Sequence, residues 1–325
     1  MGGAASVWSR LGAGGVGGTQ EIRALAATAA LFALGAVLAP GSVSAAGLLA
    51  IVPFMAILGV AAIGQHLVIQ QRGLDLSVAG AISLAAVLVT ALPPAGSGTA
   101  ATLAYVALAL VAGVVGGLVN GALVAWLRVP ALVTTIGMNA VLLGITLLIS
   151  GGTPRAVPAG LGRVALARSL GIPNTVWLLL LFTALATLVI DRMPAGRRFV
   201  AVGMNAAAAR AIAIPVARYR LMTYATAGLC YATAGVMLAG FLDIPSLMAG
   251  NSYILATVAA VVVGGNAIGG GARASVPATV IGAVFLTYLG QLVLSLGFER
   301  SMQDIVEAVI VIAGVGLPAL TQWRR

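Results

Sequence analysis

Lysine is absent from this sequence: all 17 basic residues among its 325 are arginine. That excludes a phosphate-cradling G-x-x-x-x-G-K-[ST] loop, whose lysine is obligatory, and it excludes Schiff-base chemistry. A single cysteine, Cys230, rules out an internal disulfide. There is one histidine, His66, and no grouping of His, Cys, Asp or Glu at ligand spacing, so no metal site is expected. Charge is scarce as well, at 7% of residues, where a soluble domain carries about a quarter. Too few polar side chains remain to cover a water-facing surface, so the bilayer must be the solvent for most of the chain.

What is present is apolar: 61% of the residues are hydrophobic. In hydrocarbon every backbone polar group must be paired internally, which leaves helices or closed barrels. The apolar runs are continuous and helix-length, whereas barrel strands would alternate over about 10 residues. Ten apolar segments are expected as spans: 24–39, 48–70, 74–92, 100–127, 131–150, 172–190, 221–242, 252–268, 276–296 and 303–320. The fold class is therefore all-α, a polytopic membrane protein of about ten transmembrane helices with both termini cytoplasmic. In that topology 13 arginines face the cytoplasm and four, Arg155, Arg163, Arg168 and Arg300, lie outside, as the positive-inside rule requires. This also accounts for the net charge of +10 without nucleic acid.

Residues 1–19, rich in Gly and Ala, read as a disordered tail, and 20–325 as one transmembrane domain. Met1, Gly2 and Ser6 fit a myristoylation pattern by chance of composition. Ser42, Ser44 and Ala46 resemble a signal cleavage site, but an uncleaved first helix fits the even span count. The external loop 151–171 has room for a short surface helix. Stripes of small residues, Gly113/Gly117/Gly121 and Gly228/Ala232/Gly235/Ala239, are the pattern by which helix backbones approach closely in lipid.

The loop 191–220, with six arginines, is the longest cytoplasmic connection. Asn205 is a good N-cap, 206–211 is five alanines and an arginine, and Pro215 stops the run. A helix of roughly eight residues is too short to be stable alone in water and must dock on something. Its alanine face is too weak for a membrane-surface helix, so a soluble cytoplasmic partner is the better reading. A second feature is GLDLSVAG, 73–80, with Asp75 at the start of a helix and Ser77 after it. Either this is an interfacial cap or it is a break in a membrane helix beside a path. A similar Gly-rich break at 264–275 hints at an internal repeat. Polar residues within spans are Gln65, His66, Asn120, Asn139 and Glu307. Asn120 shares a face with Gly113, Gly116 and Gly117, which puts it in a helix contact or a cavity.

GLDLSVAGAISLAA, NGALVAWLRVPALVTTIGM, the Ser150-Gly151-Gly152 turn, GRRFVAVGMNAAAAR and YILATVAAVVVGGNAIGGG together resemble the permease family of ribose- and galactose-type sugar ATP-binding-cassette importers, from about residue 50 to 320. That superfamily also contains branched-chain amino-acid permeases. The resemblance implies a bacterial inner-membrane subunit that is not an enzyme. It implies two permeases as a homodimer or pseudo-dimer, two cytoplasmic ATPase subunits that hold the ATP, and a periplasmic sugar-binding protein. It makes residues 203–212 the coupling helix, with Gly203, Asn205 and Ala208 on the family's G-x-N-x-x-A pattern and Ala207, Ala209, Arg210 and Ile212 beside them. Asp75, Ser77, Asn120 and Asn139 are the candidates for walls of the translocation path. The chain departs from the family at Ile254 and Ala256, where acidic residues are usual, and at Glu307, Leu143 and Ala213. An ion-coupled secondary transporter would need ionisable residues at midplane, which the spans almost lack. A membrane enzyme would need a nucleophile and a base. A branched-chain amino-acid permease typically reads Asn-Leu-Ala where this chain has Asp75-Leu76-Ser77.

Overall fold

A computed structural model describes residues 16–94, 96, 98–267, 269–270 and 274–322. The helices are α1 (Val16–Leu38), α2 (Ala45–Gln70), α3 (Val78–Ala91), α4 (Thr99–Ala125), α5 (Ala131–Ser150), α6 (Ala159–Leu166), α7 (Asn174–Thr187), α8 (Pro194–Met204), α9 (Ala206–Ala211), α10 (Val216–Leu242), α11 (Tyr253–Val263), α12 (Val276–Ser295) and α13 (Arg300–Gln322). Short 3₁₀ turns precede α2 and α11, and a π turn, Leu188–Arg192, extends α7. Ser44 caps α2 through its hydroxyl, which accepts from the Gly47 amide at 3.1 Å, and Ser275 caps α12 through the Ala278 amide at 3.2 Å.

Every apolar segment read from the sequence holds one helix. Among the described residues, seven helices are long and apolar enough to cross a membrane; Val78–Ala91 and Ala249–Val263 are shorter apolar helices. Boundaries differ in instructive ways. α1 begins at Val16, so the last residues of the expected tail are helical, while 1–15, with the myristoylation pattern, lie outside the described residues. Residues 74–77 are not helical, and Asp75 sits before the N-cap of α3, not in its first turn. α10 starts at Val216, which draws Arg218 and Arg220 out of the loop and into its first turns. The loop 151–171 does hold a helix, α6, followed by a two-residue hairpin pairing Arg168 with Pro173 and Ser169 with Ile172. Leu170 and Gly171 both take positive φ, the type I′ geometry of a two-residue turn.

α10 is the central pillar. It packs on α2, α3 and α4, and from Ala227 to Gly240 nearly every side chain is buried. The small-residue stripes make this possible. A Cβ added to Gly113 or Gly228 would overlap the other helix, and one at Gly117 would overlap the Tyr224 carbonyl. Gly235 performs the same service against Ile82 of α3. With lipid outside as apolar as the interior, this backbone-to-backbone contact carries the association. We expect Gly117→Val to lower the thermal unfolding midpoint in detergent by roughly 5–10 °C, since overpacking costs about 1–3 kcal/mol or more. Gly116→Ala, one residue away, should be silent, because its new methyl would lie 3.8 Å from Leu142 Cδ2. Equal midpoints for the two variants would show that the α4–α10 contact is loose.

Candidate functional site

Three structural features hold the residues singled out above. The first is the break between α2 and α3. The chain leaves α2 by a left-handed residue, Arg72 (φ 61°), and the Gly73 amide closes back on the Val68 carbonyl at 3.0 Å. Asp75 then folds onto the residues that follow it: its Oδ1 accepts from the Ser77 amide at 2.9 Å and from the Ser77 hydroxyl. The lone pair left on Ser77 Oγ accepts from Asn120 Nδ2 at 2.9 Å, reaching across from α4. On the α5 side, Thr135 donates to the Leu74 carbonyl at 3.3 Å and Asn139 Oδ1 accepts from the Gly80 amide at 2.7 Å. Asp75, Ser77 and Asn120 thus form one buried chain, and Asn139 holds the next turn of α3. Asn120 Oδ1 is buried without a partner.

This cluster lies within the bundle. Asn120 is about 8 Å along the axis from the end of α4, and Asn139 about 12 Å from the start of α5. Beside it, a cavity of about 10 Å³ is lined by Asp75, Ser77, Gly113, Gly117 and Tyr231. That is room for roughly one water. From the opposite end the 3₁₀ turn Ala249–Ser252 dips inward: the Gly250 amide donates to Ser83 Oγ at 3.0 Å and its Cα lies against the Ala79 backbone. α3 is therefore gripped at its first turns from both sides.

A second feature is a polar cavity of about 200 Å³ lined by His66 and Gln70 of α2 and by Asn266. Asn266 is spent on holding its own segment: its Nδ2 donates to Thr279 Oγ1 at 2.9 Å and to the Ser275 carbonyl at 3.3 Å, and its Oδ1 accepts from the Ser275 amide at 2.8 Å. His66 Nδ1 meets the same Thr279 hydroxyl at 2.8 Å. His66 Nε2 and Gln70 Oε1 remain buried without partners. Of the Gly-rich break, residues 268 and 271–273 lie outside the described set; Gly270 rests on Arg72 and the Gln70 carbonyl. Both sequence breaks therefore converge on the end of α2, a proximity that neither segment announces.

The third feature is the segment 191–220. It contains α8, which the sequence reading did not anticipate, then α9. Asn205 caps α9 as expected, its Oδ1 accepting from the Ala207 and Ala208 amides at 3.0 Å each. The helix is six residues, Ala206–Ala211, not eight. Gly203 belongs to the end of α8, and Ile212 is the C-cap of α9. The early stop has a local cause: Ala213 takes φ 59°, a left-handed conformation that breaks the helical run. Ala209 is buried against Val202 and Val216, while Ala207, Ala208, Arg210 and Ile212 are exposed, Ile212 at 69%.

Arg72, read from sequence only as a topology marker, ties the first and third features together. Its Nε donates to the Gly203 carbonyl at 2.8 Å and its Nη2 to the Met204 carbonyl, the free carbonyls at the C-terminus of α8. Gln71 adds a bond from Nε2 to the Phe199 carbonyl at 2.8 Å, and Gly203 is pressed on the Gln70 carbonyl where a Cβ would not fit. The turn carrying Asp75 and Ser77 and the helix leading to Asn205 are thus joined by three consecutive residues, Gln70, Gln71 and Arg72. Nothing local in the sequence marks Arg72 for this role, because its partners are main-chain carbonyls 131 and 132 positions away.

The departures from the resemblance also find places. Ala256 is buried and Ile254 packs against the core, where unpaired carboxylates would be costly. Glu307 is buried on α13 and accepts from Gln303 Nε2 at 2.9 Å.

Residues 47–315 match the model of a family described as branched-chain amino acid transport system / permease component. Among curated proteins, the chain is 31% identical over 295 residues to the autoinducer 2 import system permease protein of Shigella flexneri, covering 90% of this chain and 85% of that one. It is 33% identical over 263 residues to the ribose import permease protein of Escherichia coli (strain K12), covering 79% of this chain and 80% of that one. No solved structure matches.

Proposed function

The chain belongs to the branched-chain amino acid transport system / permease component family, and on that premise we propose that it is the membrane subunit of a bacterial ATP-binding-cassette importer for a monosaccharide or a related polar solute. The observation that carries the coupling role is α9. Anchored to the chain through Ala209 against Val202 and Val216, this short capped helix of alanines leaves Ala207, Ala208, Arg210 and Ile212 exposed, a face free for a further partner. A cytoplasmic ATPase subunit with a groove sized for methyl groups and an acidic rim is that partner. The sugar assignment leans on the ribose and autoinducer 2 relatives and on the uncharged amides and hydroxyls of the interior.

In this reading ten helices span the inner membrane with both termini inside, and a second permease copy completes the pathway. A periplasmic binding protein delivers the solute, and ATP acts on the partner subunits. Closure of the ATPases moves α9; the shift passes through α8 to Arg72 and so to the Asp75–Ser77 turn, which borders the path with Asn120 and Asn139. A neutral solute needs weak, uncharged contacts for easy entry and exit, which the Ser77 hydroxyl and the Asn120 and Asn139 amides offer.

The test is reconstitution in proteoliposomes with the ATPase and binding protein encoded alongside it. ATP-dependent accumulation of a labelled monosaccharide is expected, with neither uptake nor ATP hydrolysis from the chain alone. ATP hydrolysis by the isolated chain would overturn the assignment, and uptake of leucine in place of sugars would move it to the amino-acid branch.

A further inference from the structure

A groove of about 690 Å³ runs along α10 between α2, α7 and α8 and borders the third of the sites above along α8. Its walls are apolar: Leu67, Phe182, Leu185, Val189, Met222 and Leu229 among them. The two threonine hydroxyls it includes ask nothing of a ligand, because Thr223 donates to the Tyr219 carbonyl at 2.7 Å and Thr226 to the Met222 carbonyl at 2.8 Å; the Tyr219 phenol is its third hydroxyl. Only one end is charged. Arg198 of α8 and Arg218 in the first turn of α10 line that end, and both are exposed.

The groove is open along one side, so it is filled by whatever surrounds these helices. In the bilayer the available filler is lipid, and its dimensions agree. From Arg218 to Leu229 the groove follows α10 for about 16 Å, and one leaflet of the hydrocarbon core is about 15 Å thick. Two guanidiniums at the interfacial end of an acyl-chain slot match a phosphate diester, which they can hold by charge-assisted hydrogen bonds. We infer that this groove is a specific binding site for an anionic phospholipid, with its headgroup on Arg198 and Arg218 and one acyl chain laid along α10 down to Leu229.

The consequence is regulatory. The lipid would rest under α8, the helix whose C-terminus Arg72 holds and which leads directly into α9. The proposal needs only that these helices sit in a bilayer, whatever solute is carried.

Phe199, which lines the groove, gives a reporter. Phe199→Trp should be quenched by acyl-chain-dibrominated phosphatidylglycerol at a mole fraction about fivefold lower than by dibrominated phosphatidylcholine, after subtraction of the parent chain's signal. Arg198→Gln with Arg218→Gln should erase that difference. Thr226→Phe, which fills the groove while keeping both charges, should reduce quenching by both lipids. Each variant's thermal midpoint is measured in parallel, so a misfolded double variant is recognised, and Thr226→Phe then carries the decision. Equal quenching by the two lipids would mean ordinary annular lipid. A preference that survives the arginine changes would place the headgroup elsewhere. Absence of quenching would mean that protein, such as a second copy of the chain, covers the groove. Each of these three results overturns the proposal.

Discussion

Ala208→Trp is expected to abolish solute uptake while leaving the protein folded and in the membrane. Ala208 is exposed, so its side chain contributes nothing to the bundle. Its amide is one of the two that Asn205 Oδ1 caps at 3.0 Å, and that bond does not depend on the side chain. An indole there would stand out of a surface otherwise built of methyl groups, Ala207 and Ala208, flanked by Ile212. Inserted in a groove sized for alanine, it would cost several times the roughly 1–3 kcal/mol of a typical overpacking change. Each 1.4 kcal/mol is about tenfold in affinity, so the ATPase should be lost from the complex. Asn205→Pro attacks the same element from within. It removes the cap, worth about 1–2 kcal/mol, and the amide that bonds the Ala201 carbonyl at 3.1 Å. Co-purification with the ATPase, uptake in cells and the thermal midpoint are measured together. Normal uptake by both variants would show that α9 is not the coupling element; a collapsed midpoint for Ala208→Trp would show that its surface is packed within the chain.

At Asn120 the expected loss is of uptake beyond what stability explains. Asn120→Leu removes the bond to Ser77 Oγ and the unpartnered Oδ1 at once. Ser77→Ala removes that bond and the hydroxyl's bond to Asp75 Oδ1 as well, and keeps the amide. If Asn120 only ties α4 to the break, Ser77→Ala should be at least as destabilised as Asn120→Leu and at least as slow, each buried hydrogen bond being worth roughly 1–3 kcal/mol. If Oδ1 is held for the solute, Asn120→Leu should transport at least about tenfold more slowly than Ser77→Ala despite an equal or higher midpoint, a further 1.4 kcal/mol or so. We expect the second outcome. Asn120 Oδ1 is a buried acceptor without a partner, and Ser77, to which Asn120 bonds, lines a cavity of about 10 Å³, so a solute hydroxyl reaching that level would find an open acceptor. Equal transport by the two variants would reduce Asn120 to a tie.

The pattern of residue types places the ten apolar helices, though not α8. Scarce charge forces the chain into lipid, and lipid forces each apolar run to pair its own backbone, so the ten segments and their helices coincide. Capping is equally local: Asn205 reaches amides two and three residues away, and its side chain alone announces α9. The Gly113, Gly117 and Gly121 stripe was legible because spacing on one helix is a sequence property. Tertiary structure alone decided which faces meet. A membrane helix is apolar toward lipid and toward its neighbours, so hydrophobic periodicity does not fix its rotation or its partner. Asn120 and Ser77 are 43 positions apart and His66 and Thr279 are 213, and their pairing follows from how glycines let α4, α10 and α2 close on one another. The length of α9 was likewise set by the left-handed turn at Ala213, a residue whose type gives no warning of it. Arg72 is the extreme case: it binds carbonyls, which every residue carries, so only the fold could select the Gly203 and Met204 oxygens from all the others.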